Sequence, residues 1–308
     1  MDAGLVLYAL YLAAIYGLMA IGISLLWSSV GMVNMAHGAT FAVSGYAAFV
    51  AAGWLTPMVK AMVVSAAWAT PTLAVLLGLT GIVAGILCGT VIYIVAFLPI
   101  HDKPNFAVRS LIVTMAINLA TVQALLWFFG PQQKALPKVF GIGRMDVFGL
   151  QLRIDQIVTI LTTVAVLGLT LLWLRRSRMG LEIRAVMQNS EGAALSGISA
   201  RRTALPIMML TGAFAGLAAV LLSQTVFVSP TAGAIPLVKG LTIALLGGLG
   251  SVPGAVAGAV LIGFVEAITG IIPFLGQRYV LFIQFAVIIA VLVARPRGLG
   301  GLLDETRE

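Results

Sequence analysis

Charge is the scarcest commodity in this sequence. Of its 308 residues only 9% are Asp, Glu, Lys or Arg while 61% are hydrophobic, and the mean hydropathy is +1.11. A soluble domain carries about a quarter charged residues, so this chain has too little polar surface to coat a water-soluble globule. Cysteine is all but missing. Cys88 is alone inside an apolar run, which leaves no internal disulfide and no cysteine metal cluster, and it reads as a small buried side chain. Histidine occurs twice, and His37 has no second ligand at metal-binding spacing. The phosphate-cradling pattern G-x-x-x-x-G-K-[ST] does not occur, so nothing here points to nucleotide hydrolysis. The leading MDAG lacks a basic stretch, so 5–27 reads as a retained span and not a cleaved signal.

What the chain has in abundance is long apolar runs, each of them a candidate transmembrane helix. They predict spans at 5–29, 38–56, 72–98, 109–129, 155–174, 204–224, 254–272 and 278–294, with a short one at 237–250. Residues 58–70, bounded by prolines, are apolar but too short to cross alone and read as an interfacial or re-entrant piece. The expected fold is an all-α polytopic bundle of about eight to nine spans with broken or re-entrant segments, forming a single domain over 1–308. The net charge of +8 does not imply nucleic acid, because the cations cluster at helix ends and in loops. The positive-inside rule then places the N-terminus outside and the C-terminus inside. In that arrangement Lys60, Lys134, Lys138, Arg144, Arg153, Lys239 and Arg278 are on the outer side. The larger group of cations, from Lys103 to the arginines of 175–202 and the C-terminus, is cytoplasmic.

Three stretches and one residue stand out. The cytoplasmic loop 175–203 contains a helix-spaced segment over Leu181–Gln188 and a second short helix, EGAALS. Asn189 or Ser190 serves as N-cap and Gly197 as the stop. A solvated loop that merely sets topology is one reading. A rigid two-helix knob that enters a groove on a partner is the other, favoured by the small residues of GAALSGI and by an apolar Ile198 expected to be exposed. GMVNMAHGA, residues 31–39, is a break between two spans, in which Asn34 and His37 satisfy freed backbone groups or face a watery path. A second break, ALLGGLGSVPGAVAGAVL at 244–261, has a similar glycine turn before PGA and hints at an internal duplication. Glu266 lies inside a span, where a carboxylate is expensive and normally faces a cavity or a partner. No series of acidic groups accompanies it, which favours a structural or pathway-lining role over proton coupling. Asn118, Gln123 and Gln284 are available for hydrogen bonds between helices. His101 and Asp102 read as solvated loop residues, with no converging set of groups for catalysis.

These stretches carry a resemblance. GMVNMAHGA with FAVSGYAAF, SRMGLEIRAVMQNSEGAALSGI, and IALLGGLGSVPGAVAGAVLIGFVEAI are similar, in order and over essentially the whole chain, to the bacterial branched-chain amino acid ABC importer permeases of the LivH type. The resemblance implies a multi-pass protein of the inner membrane that is not an enzyme and binds no cofactor itself. It implies a second, related permease of the LivM type and two cytoplasmic ATPase subunits that use the ATP. It also implies a periplasmic substrate-binding protein. It assigns coupling to the ATPase to Gly180, Arg184, Ala185, Glu191, Ala193, Ala194, Gly197 and Ile198. It assigns the pathway or hinge to Asn34, Ala36, His37, Gly38, Gly247, Gly248, Gly250, Pro253 and Gly254, beside Glu266. The turn PIHDKP and the Trp- and Pro-containing stretch 53–71 depart from the family pattern. The cargo is leucine, isoleucine or valine by this likeness, although relatives carry urea, short amides or aromatic acids. Transport by alternating access follows. A stand-alone secondary transporter is the alternative, and it demands charged pairs within the membrane.

Overall fold

The computed structural model describes residues 3–62, 66–139, 143–147, 150–272 and 276–300. The chain is an all-α membrane bundle. Among the described residues seven helices are long and apolar enough to cross a bilayer, and two more are apolar but shorter. In order they are α1 (Ala3–Val30), α2 (His37–Met62), α3 (Ala66–Ile92), a π turn (Tyr93–Phe97) running into α4 (Leu98–Ile100), and α5 (Phe106–Phe129). A small antiparallel hairpin, β1 (Arg144–Val147) and β2 (Leu150–Arg153), leads into α6 (Ile154–Arg176). Then come α7 (Arg178–Gln188), α8 (Ser190–Leu195), α9 (Ala200–Leu222), α10 (Ala234–Gly247), α11 (Val252–Ile271) and α12 (Val280–Ala294). The expected spans are all present as helices.

The prolines did not end helices as anticipated. Pro57 lies inside α2 and Pro71 inside α3, so 58–70 is no separate interfacial piece: its described residues extend the two neighbouring helices. A proline removes one backbone bond and kinks a helix, but membrane helices tolerate it because local adjustment re-satisfies the freed group.

Lipid supplies no hydrophobic drive between helices, so close approach of small residues has to hold them. α1 runs through the centre, and Leu18, Met19, Leu26 and Ile15 are fully buried in the main core. α3 closes on α9 through glycine. Gly81 touches the backbone of Gly216, Gly85 that of Gly212 and Gly89 that of Met208. α11 closes on α1 in the same manner. A Cβ on Gly263 would stand 2.5 Å from the Ala9 carbonyl oxygen and 3.0 Å from the Ala13 Cβ, and one on Gly17 would meet the Ala259 Cβ at 3.4 Å.

These contacts reveal two units of opposite orientation. α1, a break, α2 and α3 correspond to α9, a break, α10 and α11. α1 and α9 are antiparallel neighbours: Tyr11 Oη lies 2.6 Å from Thr225 Oγ1 at one end, and Gly22 faces Thr211 at the other. Their sequences keep a trace of this, GLMAIGIS at 17–24 against GLAAVLLS at 216–223. The pairing of 31–39 with 244–261 that the sequence suggests is not the one these contacts give, which is inverted. The counterpart of the 31–36 break is the segment 223–233. The glycine-rich turn at 247–251 instead joins α10 to α11.

Each break folds back into the bundle. The His37 ring packs against Gly22, about two turns before α1 ends, and Lys239 meets Tyr16, in the middle of α1. α2 and α10 therefore both begin at mid-depth, and their first turns meet where Gly38 lies against the Gly233 backbone. α10 has only 14 residues, yet with the turn-rich segment before it the chain passes from the level where α1 begins to the level where α1 ends. Gly250 N–H donates to Ser24 Oγ at 3.0 Å, and Leu299 N–H donates to the Leu246 carbonyl at 2.8 Å. Those bonds put residues 298–300 on the same side as the end of α1, opposite the chain's beginning.

Candidate functional site

The loop after α6 is the two-helix object its sequence predicts. Ser177 caps α7, its Oγ accepting from Gly180 N–H at 2.9 Å. Asn189 caps α8, its Oδ1 accepting from Gly192 N–H at 2.8 Å. α8 ends in a left-handed Gly197, φ +81°, with Ile198 N–H donating to the Ala193 carbonyl at 2.9 Å and Gly197 N–H to the Ala194 carbonyl at 3.0 Å. That pair of bonds satisfies the last carbonyls and fixes the exit direction. Gly180 lies directly on the Leu174 backbone, and Arg184 turns back to donate to the Arg175 carbonyl at 3.2 Å. α7 is thereby bolted to the end of α6. Ile183, Val186 and Ala193 are buried, and Ala185 is half-buried. Glu191, Ala194 and Gly197 face outward. The exposed apolar tip is Leu195, 92% exposed, whereas Ile198 is half-buried, because it follows the αL glycine and folds back toward Ala193. Asn189→Ala should cost α8 about 1 kcal/mol and raise amide exchange over 190–197 with little change elsewhere.

The neighbouring turn is exposed from Asp102 to Asn105, as its sequence predicts, but is anchored at His101 and Asp102. His101 packs tilted on Phe97 and edge-on to Phe106, with ring centroids 4.5 and 5.6 Å apart, and Asp102 pairs with Arg201 at the start of α9. Tyr93 Oη donates to the Arg201 carbonyl at 3.1 Å. Burial holds the His101 imidazole below the usual histidine range, with Asp102 opposing that and Arg201 adding to it. A cleft of about 570 Å³ separates this turn and the end of α1 from residues 188–191.

The break at 31–36 starts at Gly31, φ +69°. Asn34 is buried and its Oδ1 accepts from Ala36 N–H at 3.0 Å, while Met35 N–H is taken by Thr114 Oγ1 of α5 at 3.0 Å. Asn34 thus does what the sequence predicts, satisfying freed backbone. His37 is 1% exposed and its ring packs on Gly22, but its buried Nε2 has no hydrogen-bond partner among the described residues, so it is not the backbone partner that the sequence suggests. Gly38 is required because a side chain there would strike the Gly233 carbonyl oxygen at 2.9 Å. In the other glycine stretch Gly247 and Gly254 are in backbone contact, Gly248 and Gly250 have φ +88° and +97°, and Pro253 occupies the first turn of α11. These residues build a tight turn, brought together with residues 298–300 but not with the 31–38 break.

Glu266 has the company that sequence reasoning missed. Lys239 is no outer-side loop cation. It is 5% exposed, and its Nζ donates to Glu266 Oε2 at 2.6 Å and to Tyr16 Oη at 3.0 Å. Tyr16 Oη donates to Glu266 Oε1 at 3.3 Å, and Gln284 Nε2 to Glu266 Oε2 at 2.9 Å. The ammonium also sits 4.4 Å from the Tyr16 ring centroid. α1, α10, α11 and α12 each supply one member. Gln284 fulfils its expected interhelical role, and Gln123 faces the bundle exterior. A signal for Lys239 existed: it interrupts an apolar run, PLVKGLTIALLG, in which a loop residue had no reason to be. The network forms the inner end of a cavity of about 620 Å³ that reaches Gln133, Arg153, Thr225 and Ser229 on the side where α1 begins. Arg153 at that rim pairs with Asp155 at 2.6 Å, and this bond holds its guanidinium above the usual arginine range.

Comparison with known proteins agrees along the chain. Residues 5–292 match the family described as branched-chain amino acid transport system / permease component. The high-affinity branched-chain amino acid transport system permease protein LivH of Escherichia coli K12 is 31% identical over 94% of this chain and 92% of its own length. BraD of Pseudomonas aeruginosa, of the same description, is 30% identical over 93% of this chain and 91% of its own. The fructose import permease protein FrcC of Rhizobium meliloti is 35% identical over 39% of this chain and 36% of its own. No solved structure matches.

Proposed function

This chain belongs to the family of permease components of branched-chain amino acid transport systems, and from that premise we propose how it works. It is the LivH-type subunit of an ABC importer in a bacterial inner membrane. It pairs with a second, related permease, and the two form the path for leucine, isoleucine, valine or a related small amino acid. Two cytoplasmic ATPase subunits hold and use the ATP, and a periplasmic binding protein delivers the cargo. The chain itself makes no covalent bond and carries no cofactor. Residues 1–308 act as one transmembrane domain.

The observation that supports this reading is the capped, glycine-stopped pair α7–α8 with Leu195 bare at its tip. A topology-setting loop needs neither two side-chain caps nor three exposed apolar side chains, Met179, Leu181 and Leu195, on so short a piece. As a rigid piece fixed to α6 by Gly180 and Arg184, it transmits motion of a motor to the spans. Broken helices α2 and α10, meeting at Gly38 and Gly233, are the elements that rock between outward-open and inward-open arrangements. Ala194→Arg should cut ATP-driven uptake about tenfold or more by blocking a close-packed contact while insertion of the chain is unchanged. Uptake in proteoliposomes holding all companions, with co-purification of the ATPases, measures it. Full uptake by an assembled Ala194→Arg complex would remove the coupling role.

The Lys239–Glu266 pair is the intramembrane charge pair that a stand-alone secondary transporter demands. That reading requires uptake by the chain alone under an ion gradient. No such uptake is expected.

A further inference from the structure

A buried ion pair that only holds helices together is sealed on all sides. This one is not. The Lys239 and Glu266 side chains are 7% and 13% exposed, and both line the cavity that rises between α1, α10 and α12 to the Arg153 rim. Each ion also has bonding capacity left over. Lys239 uses two of its three N–H groups on described residues, Glu266 and Tyr16. Among the described residues Glu266 Oε1 accepts only the long bond from Tyr16, while Oε2 takes both Lys239 and Gln284. The walls next to the pair are apolar: Leu12, Phe41, Ile235 and Leu281. The volume, about 620 Å³, is that of a small-molecule site.

We infer that Lys239 and Glu266 form a subsite for a zwitterionic α-amino acid with an apolar side chain, entered from the side where α1 begins. The inference rests on the importer reading above and locates a cargo position within it. The cargo's carboxylate takes the free N–H of Lys239, its ammonium takes Glu266 Oε1, and its side chain lies on the aliphatic wall. Tyr16 and Gln284 keep the two ions in place while their mutual bond loosens. The site is neutral before and after binding, because one ion pair is exchanged for two. A molecule with one charge leaves one protein ion uncompensated in a low-dielectric setting, which is costly. Exchange of partners also keeps affinity modest, since the cargo must displace a bond that already exists, and a carrier site has to release what it binds. Because Lys239 is on the short helix α10, occupancy bears directly on a broken element.

The test uses the complete transporter in proteoliposomes with its binding protein. Lys239→Met combined with Glu266→Gln removes both charges but keeps an amide for Tyr16 and Gln284. Leucine uptake should fall by about tenfold or more, as expected where a site loses its polar partners for the substrate, although the complex still assembles on size exclusion. Uptake within about twofold of wild type would overturn the subsite. Should the double variant fail to assemble, the wild-type complex without binding protein decides. L-Leucine should raise its thermal midpoint, and leucinamide and 4-methylpentanoate, each with one charge, should not. Equal shifts for all three, or no shift with leucine, would overturn the inference. Wild-type complex that shows no ATP-driven leucine uptake would instead sink the importer reading itself, so the two failures are distinguishable.

Discussion

Gly85→Leu should prevent α3 from seating on α9. A Cβ at Gly85 falls on the Gly212 carbonyl, and backbone, unlike a side chain, cannot rotate away. The helices must part, and with them the contacts at Gly81 and Gly89 on the same stripe. Forcing large groups into packed positions costs about 1–3 kcal/mol and at times more, and here the lost glycine stripe pushes the effect to the upper end. In a bilayer no hydrophobic drive between helices compensates. The expected readout is a large fall in the thermal midpoint of the purified chain, or its loss during extraction. Gly78→Leu is the control. It is on the same helix, a Cβ there meets nothing within 4 Å, and the change should stay within about 0.5 kcal/mol. Equal behaviour of the two variants would refute the glycine-seam account.

The second large effect is at Glu266 taken singly. Glu266→Leu strands the Lys239 ammonium with Tyr16 as its sole named partner and removes the acceptor of Gln284 and Tyr16. Removing one member of a buried pair costs about 3–5 kcal/mol, mainly because the other charge is left unpaired. Lys239→Met in the same chain should restore much of that loss. The measurement is a thermal or denaturant midpoint for the two single variants and the double. If Glu266→Leu is no less stable than wild type, the pair is not buried as described. Stability and transport are thus expected to separate: neutralising both residues rescues the first and not the second.

What could be read from the sequence followed the range of the forces involved. The α7–α8 knob is local. Asn189 three residues before Gly192 N–H and Gly197 after the last turn are caps fixed within a few residues, so their positions were predictable. The spans were legible because hydropathy is also local. The parts that escaped are settled by distant residues. Whether Pro57 ends α2 depends on its neighbours, not on proline alone. Lys239 looked like an outer cation until Tyr16 and Glu266, both far away in sequence, were seen around it. The choice between Ile198 and Leu195 as the bare apolar residue turned on one αL glycine that reverses the chain. The inverted pair of units was audible only as GLMAIGIS and GLAAVLLS, too short a phrase to separate from chance before the contacts were known.

The head-to-head start of α2 and α10 has an electrical consequence. Each helix start carries roughly half a positive charge, and the two are brought together at the waist of the bundle by Gly38 and Gly233. Like partial charges brought this close repel, so the close packing of Gly38 on Gly233 has to outweigh that cost.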